Sequence, residues 1–351
     1  MLGMSGIGVY LENLVPKLLR ELRDYQFRLI GDEKKITALS LPSDGRVSVC
    51  SCHAPIYSIQ EQILVCRAAR GTSLLWVPHY NIPLFSSVPL LVTVHDVAHL
   101  VLPEVTKSLI RRTYARILFE GVRRKAKKIL TVSQFTADEF LRCVGKPHGA
   151  LEVVPNGVDA AWFESATSGE EPAQKDSTPY FIAVGNLKAH KRIDVLCRAF
   201  AAVKGDIPYK LLLVGKYDGF ISGGQSMSEL MALAPERIEA TGSIEGSKLR
   251  ALVRGASALV FPSSYEGFGL PPLEAMAAGV PVIAADIPPV REVCGEEAAY
   301  FPVDDQEALQ GLLVHAEERV SEAQLQQGVA HARQFQWSNA AQAIARTMRS
   351  F

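Results

Sequence analysis

The sequence predicts an α/β protein of two successive doubly wound units, each a parallel sheet with its helices. Short runs dense in β-branched and large apolar residues alternate with helical periodicity in both halves of the chain, as strands buried on both faces require. Between the halves, 162–179 carries Ser165, Thr167, Ser168, Gly169, Glu170, Glu171, Pro172 and Lys175, the composition of a linker. The length of 351 residues also exceeds what one core usually holds. The expected divisions are a first domain at 1–160, a linker at 161–179, a second domain at 180–333, and a helix at 334–351 that packs back on the first domain.

The first half opens on Ser5, Gly6, Ile7 and Gly8, read as a glycine turn, followed by a helix with apolar positions Leu11, Leu14, Val15, Leu18 and Leu19. Such a turn normally follows a strand, and the four residues before Ser5 are too few to span one. The expectation is a first domain lacking its first, central strand, with Gly6 and Gly8 weakly anchored, as in a chain truncated at its start. Strands are expected at 27–31 (FRLIG), 46–50 (RVSVC), 74–78 (LLWVP), 90–95 (LLVTVH), 128–133 (KILTVS) and 151–155 (LEVVP). His95 and Asp96 close the fourth of these, at the sheet edge where ligands of open α/β sheets bind, though a packed histidine would fit equally well. The segment 106–128 has a helical pattern and carries Lys107, Arg111, Arg112, Arg116, Arg123, Arg124, Lys125, Lys127 and Lys128 against Glu120 alone. A charge run is usually a solvated face, but this imbalance also suits an anionic membrane surface.

The second half restarts the alternation, with strands expected at 180–185, 210–215, 238–242, 258–264, 281–286 and 298–302. After the first of these, Lys188, His190, Lys191 and Arg192 cluster just before a helix. The helix dipole disfavours cations there, whereas a diphosphate that must be desolvated would need them. After the fourth comes EGFGLPPLE (266–274), two carboxylates around a glycine turn that enters a helix through Pro271 and Pro272. Strand, glycine turn and helix N-terminus together make a place for anionic oxygen. Read alone, Glu274 is a dipole-favoured helix residue and Glu266 a solvated one.

Composition narrows the partners. Lys plus Arg and Asp plus Glu balance at 37 each, so bulk charge gives no argument for nucleic acid. Cys50, Cys52, Cys66, Cys143, Cys197 and Cys294 match no zinc or redox spacing and read as thiols of a reducing compartment. No stretch has the length of a membrane span or the form of a signal peptide. A cytoplasmic protein, peripheral on the inner face of the plasma membrane, is expected.

In order and spacing, SGIGVYLENL, YSIQEQ, VPHYNIPL, TVHDVAHLVLPE, TVSQFTADEF, VVPNGVD, VGNLKAHKRID, LLLVGK, TGSI and LVFPSSYEGFGLPPLEAMAAGVPVIAAD resemble the retaining glycosyltransferases of family 4. The resemblance covers nearly the whole chain and implies the GT-B fold, two Rossmann-like domains facing across a cleft. It implies that Glu266 contacts the donor sugar near the reacting centre and that Glu274 accepts hydrogen bonds from the nucleotide ribose. It further implies that Lys191, with the N–H groups of Gly269 and Leu270 in the Gly267–Phe268 turn, binds the diphosphate. By the same resemblance His95 lies against the sugar, Gly6 and Gly8 close over the phosphates, and Ser243 and Ile244 hold the base. Many members carry an arginine where this chain has Asn186, so Lys188, His190 or Arg192 would have to supply that charge. No metal or other cofactor is implied, and the expected chemistry is front-face attack by the acceptor hydroxyl. The motifs look most like bacterial mannosyltransferases that use GDP-mannose in lipopolysaccharide or exopolysaccharide assembly, with a glycan or lipid-linked acceptor. A UDP-hexose enzyme and a non-catalytic sugar-nucleotide binder are the alternatives, while a sugar phosphorylase lacks a visible lysine context for pyridoxal.

Overall fold

The structure, a computed structural model, describes residues 6–105, 108–164, 178–203, 208–216, 225–316 and 321–351. It divides into two compact units, residues 1–157 with 336–351, and residues 158–335. Most of the expected linker, 165–177, lies outside the described residues.

In chain order the first unit comprises α1 (Gly6–Glu21), β1 (Phe27–Gly31), α2 (Glu33–Thr37), β2 (Val47–Ser51), α3 (Ile59–Ala68), β3 (Leu75–Val77), β4 (Leu90–Val94), α4 (Ala98–Val101), α5 (Leu109–Lys125), β5 (Ala126–Thr131), α6 (Gln134–Cys143) and β6 (Ala150–Val153). Its strands are parallel and form two groups, β1-β2 and β3-β4-β5-β6. Among the described residues no strand joins β1 to β3. All five residues of β4 are buried, whereas Leu29 and Ile30 of β1 and Leu75 and Trp76 of β3 keep partial exposure. The core gathers Ile82, Val92, Leu118, Phe119, Val122, Ile129 and Phe140.

Two expectations fail here. Gly6 and Gly8 are not a turn but the first turn of α1, and Gly8 is buried. The helix is anchored because Tyr10, Leu14, Val15, Leu18 and Leu19 recur on one face and bury together. The basic segment is also not one helix. Ala126 adopts an extended conformation after Lys125, so Lys127 and Lys128 belong to β5, and Lys107 lies outside the described residues.

The second unit comprises β7 (Tyr180–Val184), α7 (Ile193–Ala202), β8 (Lys210–Val214), α8 (Met227–Met231), β9 (Ile238–Gly242), α9 (Gly246–Arg254), β10 (Ala258–Phe261), α10 (Leu270–Ala277), β11 (Val282–Ala285), α11 (Pro288–Cys294), β12 (Ala299–Phe301), α12 (Gln306–Val314) and α13 (Glu322–Ala332). The six strands form one parallel sheet in the order β12-β11-β10-β7-β8-β9. The strand order reverses between β7 and β10, so the C-terminal ends of these two strands frame the place where such sheets bind ligands. The remaining helix, α14 (Trp337–Arg349), returns to the first unit and packs along α1. Its buried residues Trp337, Ala340, Ala341, Ile344 and Ala345 follow the i, i+3, i+4 spacing of an apolar stripe.

Candidate functional site

The second unit brings two of its expected site segments together at the reversal between β7 and β10. β7 ends at Val184 and leads through Gly185 and Asn186 to a single 3₁₀ turn (Ala189–Lys191). β10 ends at Phe261, and the loop after it is tied to that turn because Ser264 donates from N and Oγ to the His190 carbonyl at 2.8 and 3.2 Å. This tie sets Lys191 beside Glu266, and the two form an ion pair with only 17% and 15% of their side chains exposed. Lys191 Nζ also stands 5.3 Å from the Phe261 ring centroid, a cation–π contact that steadies the ammonium from below. Nearby, the Ser263 hydroxyl is buried without a partner.

The strand ends are drawn close by glycine. A Cβ on Gly215 would lie 1.7 Å from the Gly185 carbonyl oxygen, so no other residue fits there without moving backbone. Gly269 caps α10 with φ +120, a conformation that side chains resist. It hands the chain to Leu270, after which Pro271 and Pro272 occupy the first turn without N–H groups of their own. Phe268 is buried and meets Phe335 edge-on at 6.1 Å. The amides that the α10 entry presents are therefore those of Gly269 and Leu270.

Glu274 lies on α10 against a 3₁₀ turn (Ala160–Trp162), which Asp159 caps by accepting from Ala161 N at 3.0 Å. Burial pushes the Glu274 carboxyl up to about 8, a hydrogen bond from Trp162 pulls it partly back, and the charge of Asp159 adds to the rise. Ser243 and Ile244 follow β9, two strands from β7 in the sheet, a lateral distance of roughly 10 Å at the usual strand spacing.

Arg192 adopts φ +49 and pairs with Asp304 at 2.9 Å, so its charge is already committed. Lys188 is exposed. Gly6, Gly8 and His95 belong to the first unit. There, His95 follows β4, donates from Nε2 to the Pro78 carbonyl at 3.0 Å, and meets Tyr10 edge-on at 4.8 Å. A carbonyl only accepts, so Nε2 carries the proton and Nδ1 is the acceptor. Burial lowers the pKa of the ring, with the Pro78 contact and Asp96 opposing, which keeps it neutral.

Sequence reasoning missed Trp162, the partner of Glu274, because a tryptophan at the head of a polar stretch reads as a linker residue. It also missed Tyr10, whose hydroxyl is 3.4 Å from Thr93 Oγ1 and whose ring meets Trp76 and Trp337. Its place in the apolar periodicity of α1 was the available signal.

Comparison with known proteins agrees with this architecture. Residues 4–162 match the family described as Glycosyltransferase Family 4, and residues 164–324 match Glycosyl transferases group 1. The O-antigen chain mannosyltransferase RfbU of Salmonella typhimurium is 29% identical over 75% of this chain and 70% of its own length. O-antigen chain mannosyltransferase B of Escherichia coli is 27% identical over 70% of this chain and 66% of its own. The D-inositol 3-phosphate glycosyltransferase of Segniliparus rotundus is 28% identical over 75% and 61%. Among solved structures, Anabaena HepE in complex with UDP and glucose matches with TM-score 0.77 and 21% identity over 100% of this chain and 98% of that one. WaaG, a glycosyltransferase involved in lipopolysaccharide biosynthesis, matches with TM-score 0.75 and 13% identity over 98% and 96%. With its two segments matching these families in turn on two parallel-sheet units, the chain belongs to the family 4, group 1 glycosyltransferases of GT-B fold.

Proposed function

We propose that the protein is a retaining hexosyltransferase that moves mannose from GDP-mannose to a hydroxyl of a glycan or lipid-linked glycan in cell-surface polysaccharide synthesis. The carrying observation is the Lys191–Glu266 pair at the strand-order reversal. A desolvated lysine beside a carboxylate suits a site in which diphosphate oxygens replace the carboxylate on Lys191, leaving Glu266 for the sugar hydroxyls. Ser243 and Ile244 follow β9 and Glu274 lies on α10, and on this reading the base meets the former and the ribose the latter. Mannose is favoured because relatives named as mannosyltransferases align over most of this chain.

Transfer requires the anomeric C–O bond to the diphosphate to break while the acceptor oxygen bonds to the same carbon from the same face. The acceptor's proton passes to the departing phosphate oxygen. Lys191 and the N–H groups of Gly269 and Leu270 would meet the charge that develops there, which is where fixed donors are worth most. This reading calls for no metal. His95, neutral and with Nδ1 as acceptor, suits a contact with a sugar hydroxyl.

A UDP-hexose donor is the second reading, favoured by the UDP and glucose named with the HepE structure. Thermal shift with GDP, UDP and ADP separates the two, since a ligand that binds only the folded state raises the midpoint according to its affinity. GDP is expected to give the largest shift, and donor hydrolysis without acceptor distinguishes an enzyme from a binder. A larger shift with UDP would replace the donor, and none with any nucleotide would remove the reading.

We further propose that α5 docks on an anionic membrane. On α5, Glu120 offsets one of the two charges of Arg123 and Arg124, so the helix keeps a net positive charge that includes Arg111, Arg112, Arg116 and Lys125. Beside them Leu109 and Ile110 are about four-fifths exposed, which adds an apolar edge that could enter the headgroup layer.

A further inference from the structure

Two motifs, YSIQEQ and VPHYNIPL, have no part in the donor site, yet the first unit assembles them into one structure. Gln62 donates to the Ile82 carbonyl at 3.0 Å and accepts from Leu84 N at 2.8 Å. Glu61 Oε2 accepts from Tyr57 N at 2.7 Å and from Asn81 Nδ2 at 2.8 Å. Tyr57 adopts φ +66, a strain of about 1–3 kcal/mol for a bulky residue that persists only where its surroundings hold it. What these contacts hold is an aromatic ladder. Buried Phe119 stacks on Tyr80 at 4.3 Å, Tyr80 on Tyr57 at 6.3 Å, and Tyr114 stands edge-on to Tyr57 at 6.3 Å.

The outermost rung is open. Tyr57 is 41% exposed although its ring is braced from behind, and Tyr114 at its side is partly exposed. Together they make a right-angled corner of two rings (89°). The polar groups here are the tyrosine hydroxyls, which both donate and accept, and the Glu61 carboxylate, which accepts. Asn81 is 7% exposed and donates to Glu61 at 2.8 Å, which holds that carboxylate in place. Glu61 supplies a carboxylate, and the Tyr57 hydroxyl is held above its usual range by burial first, with the charges of Asp96 and Glu61 adding to it. The corner thus pairs flat apolar faces with acceptors and negative charge. That combination suits a neutral, hydroxyl-rich ring.

We propose that the Tyr57–Tyr114 corner, with Glu61 and Asn81 behind it, binds a neutral hexopyranose unit of the acceptor glycan. This rests on the reading of the chain as transferring to a glycan, and it places recognition on the sugar rather than on any lipid phosphate. An aliphatic C–H face of the pyranose would lie on the Tyr57 ring, as apolar edges lie on aromatic faces, while its hydroxyls donate toward the acceptors.

The test is a saturation-transfer NMR titration of the full chain with methyl α-mannoside and methyl α-glucoside, with mannose 6-phosphate as the charged comparator. A neutral glycoside is expected to bind and mannose 6-phosphate to bind more weakly. Tyr57→Ala should weaken the dissociation constant about fivefold, equivalent to about 1 kcal/mol, and Tyr57→Phe should keep it. Should Tyr57→Ala melt early, Tyr114→Leu serves in its place, with the same loss expected. Binding unchanged in the variants, tighter binding of mannose 6-phosphate, or no binding of either neutral glycoside would overturn the proposal. Thermal shifts with GDP and UDP, run on the same samples, should be unaffected by these variants, because Lys191 and Glu274 lie in the other unit. Loss of nucleotide shifts in the wild type would count against the donor reading and leave the sugar titration to stand by itself.

Discussion

Lys191 and Glu266 neutralise one another at the ends of β7 and β10, brought there by one backbone tie between Ser264 and His190. Each residue suits a different part of a sugar nucleotide, so the pair keeps both charges satisfied until a donor separates them. A half-buried cation left alone would cost more than it gains.

Lys191→Ala is therefore expected to weaken GDP or UDP binding by about 1.5–3 kcal/mol, the range for hydrogen bonds to charged groups. Glu266→Gln should leave nucleotide affinity equal or tighter, since a competitor for Lys191 is removed, while lowering turnover. Isothermal calorimetry and a hydrolysis assay check both. Equal nucleotide affinity in Lys191→Ala and wild type would refute the assignment. Turnover should also survive chelation with EDTA, and its loss would bring a metal into the reading.

Glu274 ties the donor site to pH. On the proposed reading, ribose hydroxyls donate best to the carboxylate, whereas burial pushes the Glu274 carboxyl up to about 8. Nucleotide affinity is expected to rise from pH 6 to pH 8 with release of a proton on binding, and calorimetry in buffers of different ionisation enthalpy reads that proton. Glu274→Gln should bind more weakly and lose the pH dependence. For folding the sign runs the other way. A carboxyl raised in the folded state binds its proton more tightly there than in the unfolded chain, so its contribution falls as pH rises from the unfolded value to about 8. Glu274→Gln should accordingly gain stability relative to wild type between pH 6 and pH 9.

Gly215→Ala would drive a methyl into the Gly185 carbonyl. A loss of about 2–4 kcal/mol is expected from forced backbone movement, read as a lower melting temperature with weaker nucleotide binding. A variant as stable as wild type would mean that the strand ends are looser than described.

For α5, anionic vesicles should sediment the protein more than neutral ones, and salt should reverse the effect. Leu109→Ser with Ile110→Ser should weaken the association without altering its salt dependence. Equal sedimentation with both vesicle types would dispose of the membrane reading.

Much of this was legible because strands and turns write themselves locally. β10 and β11 are fully buried runs and stood out as such, and EGFGLPPLE announced a glycine cap before a proline-started helix. Gly6 and Gly8 misled because glycine permits a turn but does not require one, and the apolar face of α1 from Tyr10 onward held them in the helix. Lys127 and Lys128 misled because charge alone cannot distinguish a helix end from a strand start. The aromatic corner at Tyr57 was not visible as a site, since its pieces lie more than twenty residues apart in three segments and only tertiary packing stacks them. Trp162 escaped for the same reason, as its meaning depends on Glu274, far along the chain.

The return of α14 to α1 has a bearing on how the protein is made. The first unit contains residues that emerge from the ribosome only after the whole second unit has been translated. Until Trp337 arrives, Tyr10 lacks one of its ring neighbours, and the face of α1 that α14 covers stands open to solvent. The second unit, by contrast, has its entire sheet in hand by Phe301. Synthesis should thus complete the two in the reverse of their order in the sequence, and a nascent chain halted before α14 would offer chaperones an unfinished first unit beside a folded second one.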